Sequence, residues 1–181
     1  MEFIDQLQSR LTKKQQTHLV ARVNASESLF NEIINILIHE KGMAQQGAAW
    51  IYGYSGIEHQ SIVLNRLGEL VNSIKPKTHP SVLRNTLRVL MRIKITEPFR
   101  GMVFENCYKW AEDSSQPVAI RAFALHTMSK ILDFEPELAN EIDLLIDNIS
   151  MNASSGLLNT CGKVKTKIRL INRRQLHRQN L

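Results

Sequence analysis

The sequence has little of what interrupts helices or builds sheets. Its 181 residues include 8 glycines and 5 prolines, and aromatic residues make up 6% of the chain. Almost no segment alternates apolar and polar residues with a period of two, which is the pattern of a half-buried strand. The overall composition, 43% hydrophobic and 22% charged, is that of an ordinary globular domain. Together these features favour an all-α chain.

Long hydrophobic runs are also missing. The longest apolar candidate, Leu29–Ile38, contains Asn31, Glu32 and Asn35, so it is too short and too polar to span a bilayer. The first residues, MEFIDQLQSRLTKK, carry acids and no long apolar run, and we do not expect a secretory signal. Neither feature predicts a membrane partner.

Cysteine is scarce as well. Cys107 and Cys161 both fall in helical apolar stripes, which is typical of reduced, buried thiols. We therefore expect a cytoplasmic protein.

What the sequence does contain is a repeated helix pair. Segment 116–149 shows two apolar stripes at helical spacing, separated near Pro136. A similar pattern lies roughly 37 residues earlier, where Pro80 corresponds to Pro117 and Met91 to Met128, and a weaker copy covers residues 44–74. At this period a helix pair cannot bury its apolar face alone, so neighbouring pairs must stack.

The run Pro117–Leu132 resembles the first helix of a HEAT or armadillo-like repeat, with Ile120 and Arg121 at the apolar-arginine pair and Ala124 at the small position. The resemblance covers roughly residues 43–171. It implies a right-handed α-α superhelix, that is, a HEAT/armadillo-like solenoid of about four to five helix pairs.

Several segments also resemble a group of small bacterial HEAT-like proteins, some of which carry an adenylosuccinate lyase label. These segments are AAWIYG, LRNTLRVL, CYKWAED, PVAIRAFALHTM and EPELANEI. The lyase family needs a much longer chain and a serine-rich mobile loop, and neither is present. The sequence therefore does not support that label.

We expect one α-solenoid domain at residues 1–175, followed by a basic tail at 174–181. Within the domain, 1–42 forms an N-terminal cap, the repeats lie at about 43–75, 79–113 and 116–150, and 154–173 forms a capping helix.

Local signals add detail to this scheme. Thr12 and Gln15 predict a capping box, and Ser26 or Ser28 starts the next helix. Single helices are predicted at Glu58–Ile74 and Ser81–Ile95. Five aromatic residues are bulky enough to line a pocket, but at helical spacing they are expected in the core; they are Trp50, Tyr52, Tyr54, Tyr108 and Trp110. Three glycines in the predicted helix that contains Trp50 imply a close backbone contact or a break. The glycines are Gly47, Gly53 and Gly56.

The predicted helix Ser81–Ile95 carries the first candidate site. Apolar residues cover most of its circumference, which leaves a narrow polar strip of Arg84, Asn85, Arg88 and Arg92. A strip of this kind on an inner solenoid helix faces the concave surface and could bind an acidic peptide or a phosphate backbone. The alternative is that these arginines pair with acidic residues of the next repeat.

The formal net charge of +6 comes from the C-terminal end. Seven basic residues and no acidic ones lie between Lys163 and Arg178, so the remaining residues sum to 6 − 7 = −1. This second candidate site, for phosphate or nucleic acid, consists of Lys163, Lys165, Lys167, Arg169, Arg173, Arg174 and Arg178. The alternative is the solvated face of a capping helix, since no aromatic residue interleaves the cations to stack on bases.

Six acidic residues lie between Asp133 and Asp147, in a stretch of fifteen residues that contains no Lys or Arg. A solvated face is the simpler interpretation. Because one end of the chain is acidic and the other basic, head-to-tail self-association is the second interpretation.

The search for reactive groups is mostly negative. The six histidines show no ligand spacing, and no nucleotide-binding or nucleophile motif occurs, so no metal, no cofactor and no catalytic residue is predicted. Cys107 would be a nucleophile only if folding brought a histidine beside it.

Two functions remain. The first is a non-catalytic scaffold or adaptor that binds an unknown protein or acidic peptide on the concave face of the solenoid. The second is a DNA-binding or HEAT-like DNA-repair protein of the alkylation glycosylase type, in which Asp113 near Trp110 would be the catalytic acid.

Overall fold

A computed structural model describes residues 3–9, 11–75 and 77–179, with side chains throughout except at positions 176, 178 and 179. Every regular element in these ranges is helical. The elements are α1 (Phe3–Leu7), α2 (Lys13–Asn24), α3 (Glu27–His39), α4 (Gly42–Ser55), α5 (Gln60–Asn65), α6 (Leu67–Ser73), α7 (Pro80–Leu90), α8 (Phe99–Glu112), α9 (Val118–Ile131), a 3-10 turn (Pro136–Leu138), α10 (Ala139–Ser150) and α11 (Ser155–Gln179). No helix in these ranges has the length and hydrophobicity that crossing a membrane requires.

The chain forms two compact units, Met1–Phe99 and Arg100–Leu181. In the first unit α4 is the central helix, because it packs against α1, α2, α3 and α7. In the second unit α11 packs against both α9 and α10. Each unit thus has one helix that most of the others contact.

The starts of α2 and α3 follow the predicted caps. The Thr12 hydroxyl accepts a hydrogen bond from the Gln15 backbone N–H at 3.3 Å, and the Gln15 side chain accepts from the Thr12 N–H at 2.8 Å. Ser26 caps α3 by accepting from the Leu29 N–H at 3.3 Å. These bonds satisfy donors that the first helical turn leaves unpaired, and they confirm both predictions.

The three glycines singled out in the sequence make close contacts. Gly47 and Gly53 lie within α4, which is unbroken, and Gly56 directly follows it. A Cβ at Gly53 would lie 2.8 Å from the Asn85 Oδ1, and one at Gly56 would lie 2.8 Å from a Val89 methyl, both on α7. A Cβ at Gly47 would lie 3.3 Å from the Cβ of Leu7 on α1. The missing side chains therefore let α1 and α7 approach the α4 backbone.

One predicted helix is in fact two. The segment predicted as Glu58–Ile74 breaks at Arg66, whose backbone (φ −108°, ψ 12°) leaves helical geometry between α5 and α6. The Arg66 guanidinium donates to Asn35 on α3 and to Glu69 on α6, both at 2.7 Å. The contact with Glu69 is local (i, i+3), whereas the contact with Asn35 is a tertiary contact that a local pattern does not reveal.

Helix α7 is shorter than predicted. It ends at Leu90 instead of Ile95, and the chain continues so that Ile93 and Ile95 are both buried while Lys94 and Thr96 are exposed. Burial with a period of two is the signature of extended backbone, because alternate side chains then point to the same side. The prediction of a longer helix overlooked this alternation.

Helix α11 is longer than predicted and continues to Gln179, into the segment expected as a tail. Its predicted apolar stripe is confirmed, because all five of its residues are buried. They are Leu157, Cys161, Val164, Ile168 and Ile171.

Candidate partner-binding site

Part of the predicted arginine strip borders a cleft in the first unit. The cleft has a volume of about 350 Å³ and lies between α1, α2, α4 and α7, which places it at the small end of ligand-sized pockets. It is lined by Leu7, Ser9, Leu11, Gln16, Met43, Gln46, Gly47, Trp50, Ser81, Arg84 and Asn85.

Arg84 is the one charged side chain among the described residues of this lining. It is exposed and makes no ion pair with any acidic residue that the structure describes. The internal pairing that we considered as an alternative is therefore absent at Arg84 in this part of the chain. A cation beside apolar walls, with no acid of its own, attracts a negatively charged ligand.

Arg88 lies one turn further along α7 and is held by an aromatic ring. Its guanidinium carbon is 4.9 Å from the centroid of the Tyr54 ring, a cation-π contact. Tyr54 packs in turn on Trp50, with ring centroids 4.5 Å apart. A continuous row of side chains therefore links the cleft to Arg88.

The expectation that Trp50 and Tyr54 belong to the core is wrong. Tyr54 is 50% exposed, and Trp50 is half-buried and lines the cleft. The core aromatic residue of α4 is Tyr52, which is fully buried. Residues 50 and 54 share a face because they lie one helical turn apart, whereas residue 52 points to the opposite side.

Asn85 and Arg92 do not lie on an exposed strip with the other two residues. Asn85 is only 1% exposed, and its Nδ2 donates to the Ser81 carbonyl at 2.8 Å. Its Oδ1 has no hydrogen-bond partner among the described residues and lies against Gly53. Arg92 is exposed but follows the end of α7 and is not part of the cleft lining. Arg84 and Arg88 are the two residues of the strip that share an accessible helical face.

Sequence reasoning missed the α4 side of the cleft. Met43, which is 51% exposed, Gln46 and Trp50 line it from this helix. The signal was present, since residues 43, 50 and 54 recur at i, i+7 and i+11 and form a second stripe beside the core stripe of α4. Two apolar stripes on one helix indicate that one of them faces something other than the core.

In the second candidate site, intramolecular acids neutralise some of the cations. Lys165 pairs with Asp147 at 2.5 Å and with Asp143 at 3.4 Å, and Lys167 pairs with Asp133 at 2.8 Å. The hydrogen bond to Asp147, followed by the nearby Asp143 charge, raises the pKa of Lys165. The other described cations of the set are exposed and have no acidic partner among the described residues. They are Lys163, Arg169, Arg173 and Arg174, while the Arg178 side chain lies outside the described residues.

The same pairs account for much of the acidic cluster. Asp133, Asp143 and Asp147 contact α11, and Glu135 pairs with Arg100 at 2.6 Å. The acids and bases that could have joined two copies thus meet within one unit.

The two candidate reactive residues, Cys107 and Asp113, have different surroundings. Cys107 is fully buried, and burial raises the pKa of its thiol, which disfavours the nucleophilic thiolate. The exposed Asp113 accepts hydrogen bonds from the Ser115 hydroxyl at 2.6 Å, the Ser115 N–H at 2.9 Å and the Gln116 side chain at 3.0 Å. These bonds, the Ser115 hydroxyl first, lower the pKa of Asp113. Its carboxylate organises the turn before α9.

The described residues contain no group of three or more His, Cys, Asp or Glu side chains that could hold a metal ion.

Comparison with known protein families identifies a HEAT repeat domain, whose family model matches residues 3–168. Searches of curated proteins and of solved structures gave no match. The match and the helix pairs confirm the predicted all-α, HEAT-type fold.

Proposed function

Because this chain belongs to the HEAT repeat family, whose members commonly mediate protein–protein interactions, we propose that it is a non-catalytic scaffold. It binds an acidic protein segment at the cleft between α1, α2, α4 and α7, here called the α4–α7 cleft. The first unit alone contains every described residue of the cleft.

One observation carries the proposal. Arg84 has no acidic partner among the described residues and borders a cleft whose other walls include Met43 and Trp50. Arginine, tryptophan, tyrosine and methionine are the residues enriched where proteins bind one another, because they combine a large contact area with directional polar groups. Arg84, which lies beside the cleft, therefore favours a partner that supplies a negative charge.

The distribution of charge supports an acidic partner. Residues 1–99 contain 12 Lys and Arg against 8 Asp and Glu, a formal charge of +4. Residues 100–162 contain 4 against 9, a formal charge of −5. The formal charge of the residues outside the C-terminal end is near zero only because a basic first unit offsets an acidic segment. The positive charge of the first unit would attract acidic partners.

Selection of a random-peptide library on the full chain tests the proposal. We expect enrichment of acidic sequences that carry a bulky apolar residue. Their affinity should fall about 10-fold or more on Arg84→Glu, because the charge reversal repels the partner. Lys77→Ala, which removes an exposed charge of the same unit outside the cleft, is the control and should leave affinity within about 2-fold. Basic or neutral selected sequences, or equal binding by Arg84→Glu, would refute the proposal.

We place the protein in a reducing compartment such as the cytoplasm. The support is that Cys107 and Cys161 are both free and buried. Labelling of a tagged chain by compartment-specific biotinylation checks this assignment, and recovery only from an oxidising compartment would refute it.

A further inference from the structure

We propose that the partner binds as an amphipathic helix with two carboxylates one turn apart and a bulky apolar side chain on the same face. This inference rests on the proposed function, because it specifies the acidic segment that the cleft receives. Three features of the first unit carry it: the spacing of two arginines, the size and lining of the cleft, and the absence of a backbone edge.

The two accessible arginines of α7 lie four positions apart. Successive helical residues rise about 1.5 Å, so the Arg84 and Arg88 side chains originate about 6 Å apart along the helix axis. The Tyr54 ring, 4.9 Å from the Arg88 guanidinium, restricts where that charge lies. Two acidic residues at i and i+4 of a partner helix have the same spacing, so each can meet one arginine.

The lining of the cleft specifies the rest of the partner's face. Leu7, Leu11, Met43 and Trp50 supply apolar walls next to Arg84. A volume of about 350 Å³ is too small for a helix but accepts one or two side chains from it. A leucine or aromatic residue beside the first carboxylate would fill this space and remove the exposed Met43 side chain from water.

The backbone of the partner gives the third argument. An extended peptide can bind by adding a strand to a sheet edge, where its N–H and C=O groups find partners. The regular elements that line the cleft in the described part of the first unit are all helices, so the cleft offers no such edge. A helix satisfies its own backbone groups and can bind through side chains alone.

Three labelled helical peptides test the inference with the unmodified full chain. The first carries Glu at i and i+4 and Leu at i−3, which lies on the same face beside the first Glu. The second has the same composition with the second Glu moved to i+2, which places it on the opposite face. The third replaces Leu by Ala. Their helicity is matched by circular dichroism, and affinity is measured by fluorescence anisotropy.

We expect the second and third peptides to bind about 10-fold more weakly than the first, since each lacks one contact of the proposed face. Arg88→Ala should weaken the first peptide by about the same factor and leave the second unchanged, which assigns the second carboxylate to Arg88. Lys77→Ala is again the matched control.

The outcomes separate this inference from the proposed function. Equal affinities for the first two peptides, both weakened by Arg84→Ala, would overturn the helical register and retain the acidic-segment site. An absence of binding by all three peptides, together with no acidic sequences from the library, would overturn both. Displacement of the first peptide by an equal concentration of free N-acetylglutamate would also overturn the inference, because the site would then recognise a small carboxylic acid.

Discussion

At the scale of single residues, Gly53 tests the close packing of α4 on α7. An added Cβ would meet the Oδ1 of Asn85 at 2.8 Å and its Cβ at 3.1 Å, and the Cβ belongs to the root of the side chain, which cannot swing away. Overpacking costs about 1–3 kcal/mol, which exceeds the gain of about 1 kcal/mol from replacing a helical glycine by alanine. We therefore expect Gly53→Ala to lower the free energy of unfolding, measured by urea denaturation.

The control is Gly162→Ala in α11. A Cβ at Gly162 meets no neighbour within 4 Å, so this change should stabilise the protein by up to about 1 kcal/mol. If both substitutions stabilised the protein equally, the contact at Gly53 would not be tight.

Asp113 gives a pH-dependent prediction. Its hydrogen bonds to Ser115 and Gln116 lower its pKa below the ordinary value of 3.8. A carboxyl with a lowered pKa stabilises the folded state above the ordinary pKa, and this stabilisation disappears as the pH falls through the folded-state pKa. The decrease in the free energy of unfolding caused by Asp113→Ala should therefore be largest near neutral pH and should disappear in strong acid.

Carboxyl carbon NMR measures the same effect directly. We expect the Asp113 resonance to titrate below 3.8 in the wild-type protein and closer to 3.8 in Ser115→Ala, which removes the hydroxyl that lowers the pKa most. A wild-type titration at or above 3.8 would contradict the hydrogen bonds seen at this turn.

At the scale of elements, the cap of α2 shows how a local signal defines a helix. Thr12→Ala removes the hydroxyl that accepts from the Gln15 N–H, and loss of such a cap costs about 1 kcal/mol. Thr17→Ala in the same helix is the control, because the exposed Thr17 hydroxyl only donates to the Lys13 carbonyl. Thermal unfolding should show a lower melting temperature for Thr12→Ala alone, and equal effects would show that the cap does not contribute.

The elements that the sequence predicted are those defined by short-range chemistry. The capping box at Thr12, the cap at Ser26 and the apolar stripe of α11 depend on residues within a few turns of one another. The break at Arg66 was not predictable in this way, because its contact with Asn35 comes from α3, 31 positions earlier in the chain. The early end of α7 is different, because the alternation of buried Ile93 and Ile95 with exposed Lys94 and Thr96 is a local pattern that the prediction overlooked.

The candidate site was predicted only in part for the same reason. Spacing alone identified Arg84 and Arg88 as accessible, but it could not distinguish the buried Asn85 between them, which packs on a glycine of another helix. Nor could it reveal that Trp50 faces a cleft instead of the core. The side chains of α1, α2 and α4 that complete the cleft come together only through packing.

At the scale of the whole molecule, the net charge of +6 needs to be interpreted together with its ion pairs. Seven cations lie between Lys163 and Arg178, and two of them, Lys165 and Lys167, are neutralised by acids of the same unit. At most five remain for phosphates. If duplex DNA binds through this helix, the logarithm of the binding constant should fall with the logarithm of the salt concentration with a slope no steeper than about −4.5. Seven phosphate contacts would give a slope of about −6.

Two variants check this expectation. Arg169→Ala should weaken the binding of random duplex DNA, measured by anisotropy, more than Lys165→Ala does, because Lys165 already faces Asp143 and Asp147. A slope near −6, with an equal effect of both variants, would favour a nucleic-acid function over the scaffold.

The two tryptophans provide the most direct test of the central claim, which is that the partner binds at the α4–α7 cleft. Trp50 lines the cleft, whereas Trp110 lies in α8 of the second unit. In a ¹⁵N-labelled chain titrated with an acidic peptide that carries a leucine anchor, the indole N–H resonance of Trp50 should shift and that of Trp110 should stay in place. An unmoved Trp50 resonance, with changes confined to α11, would contradict the account.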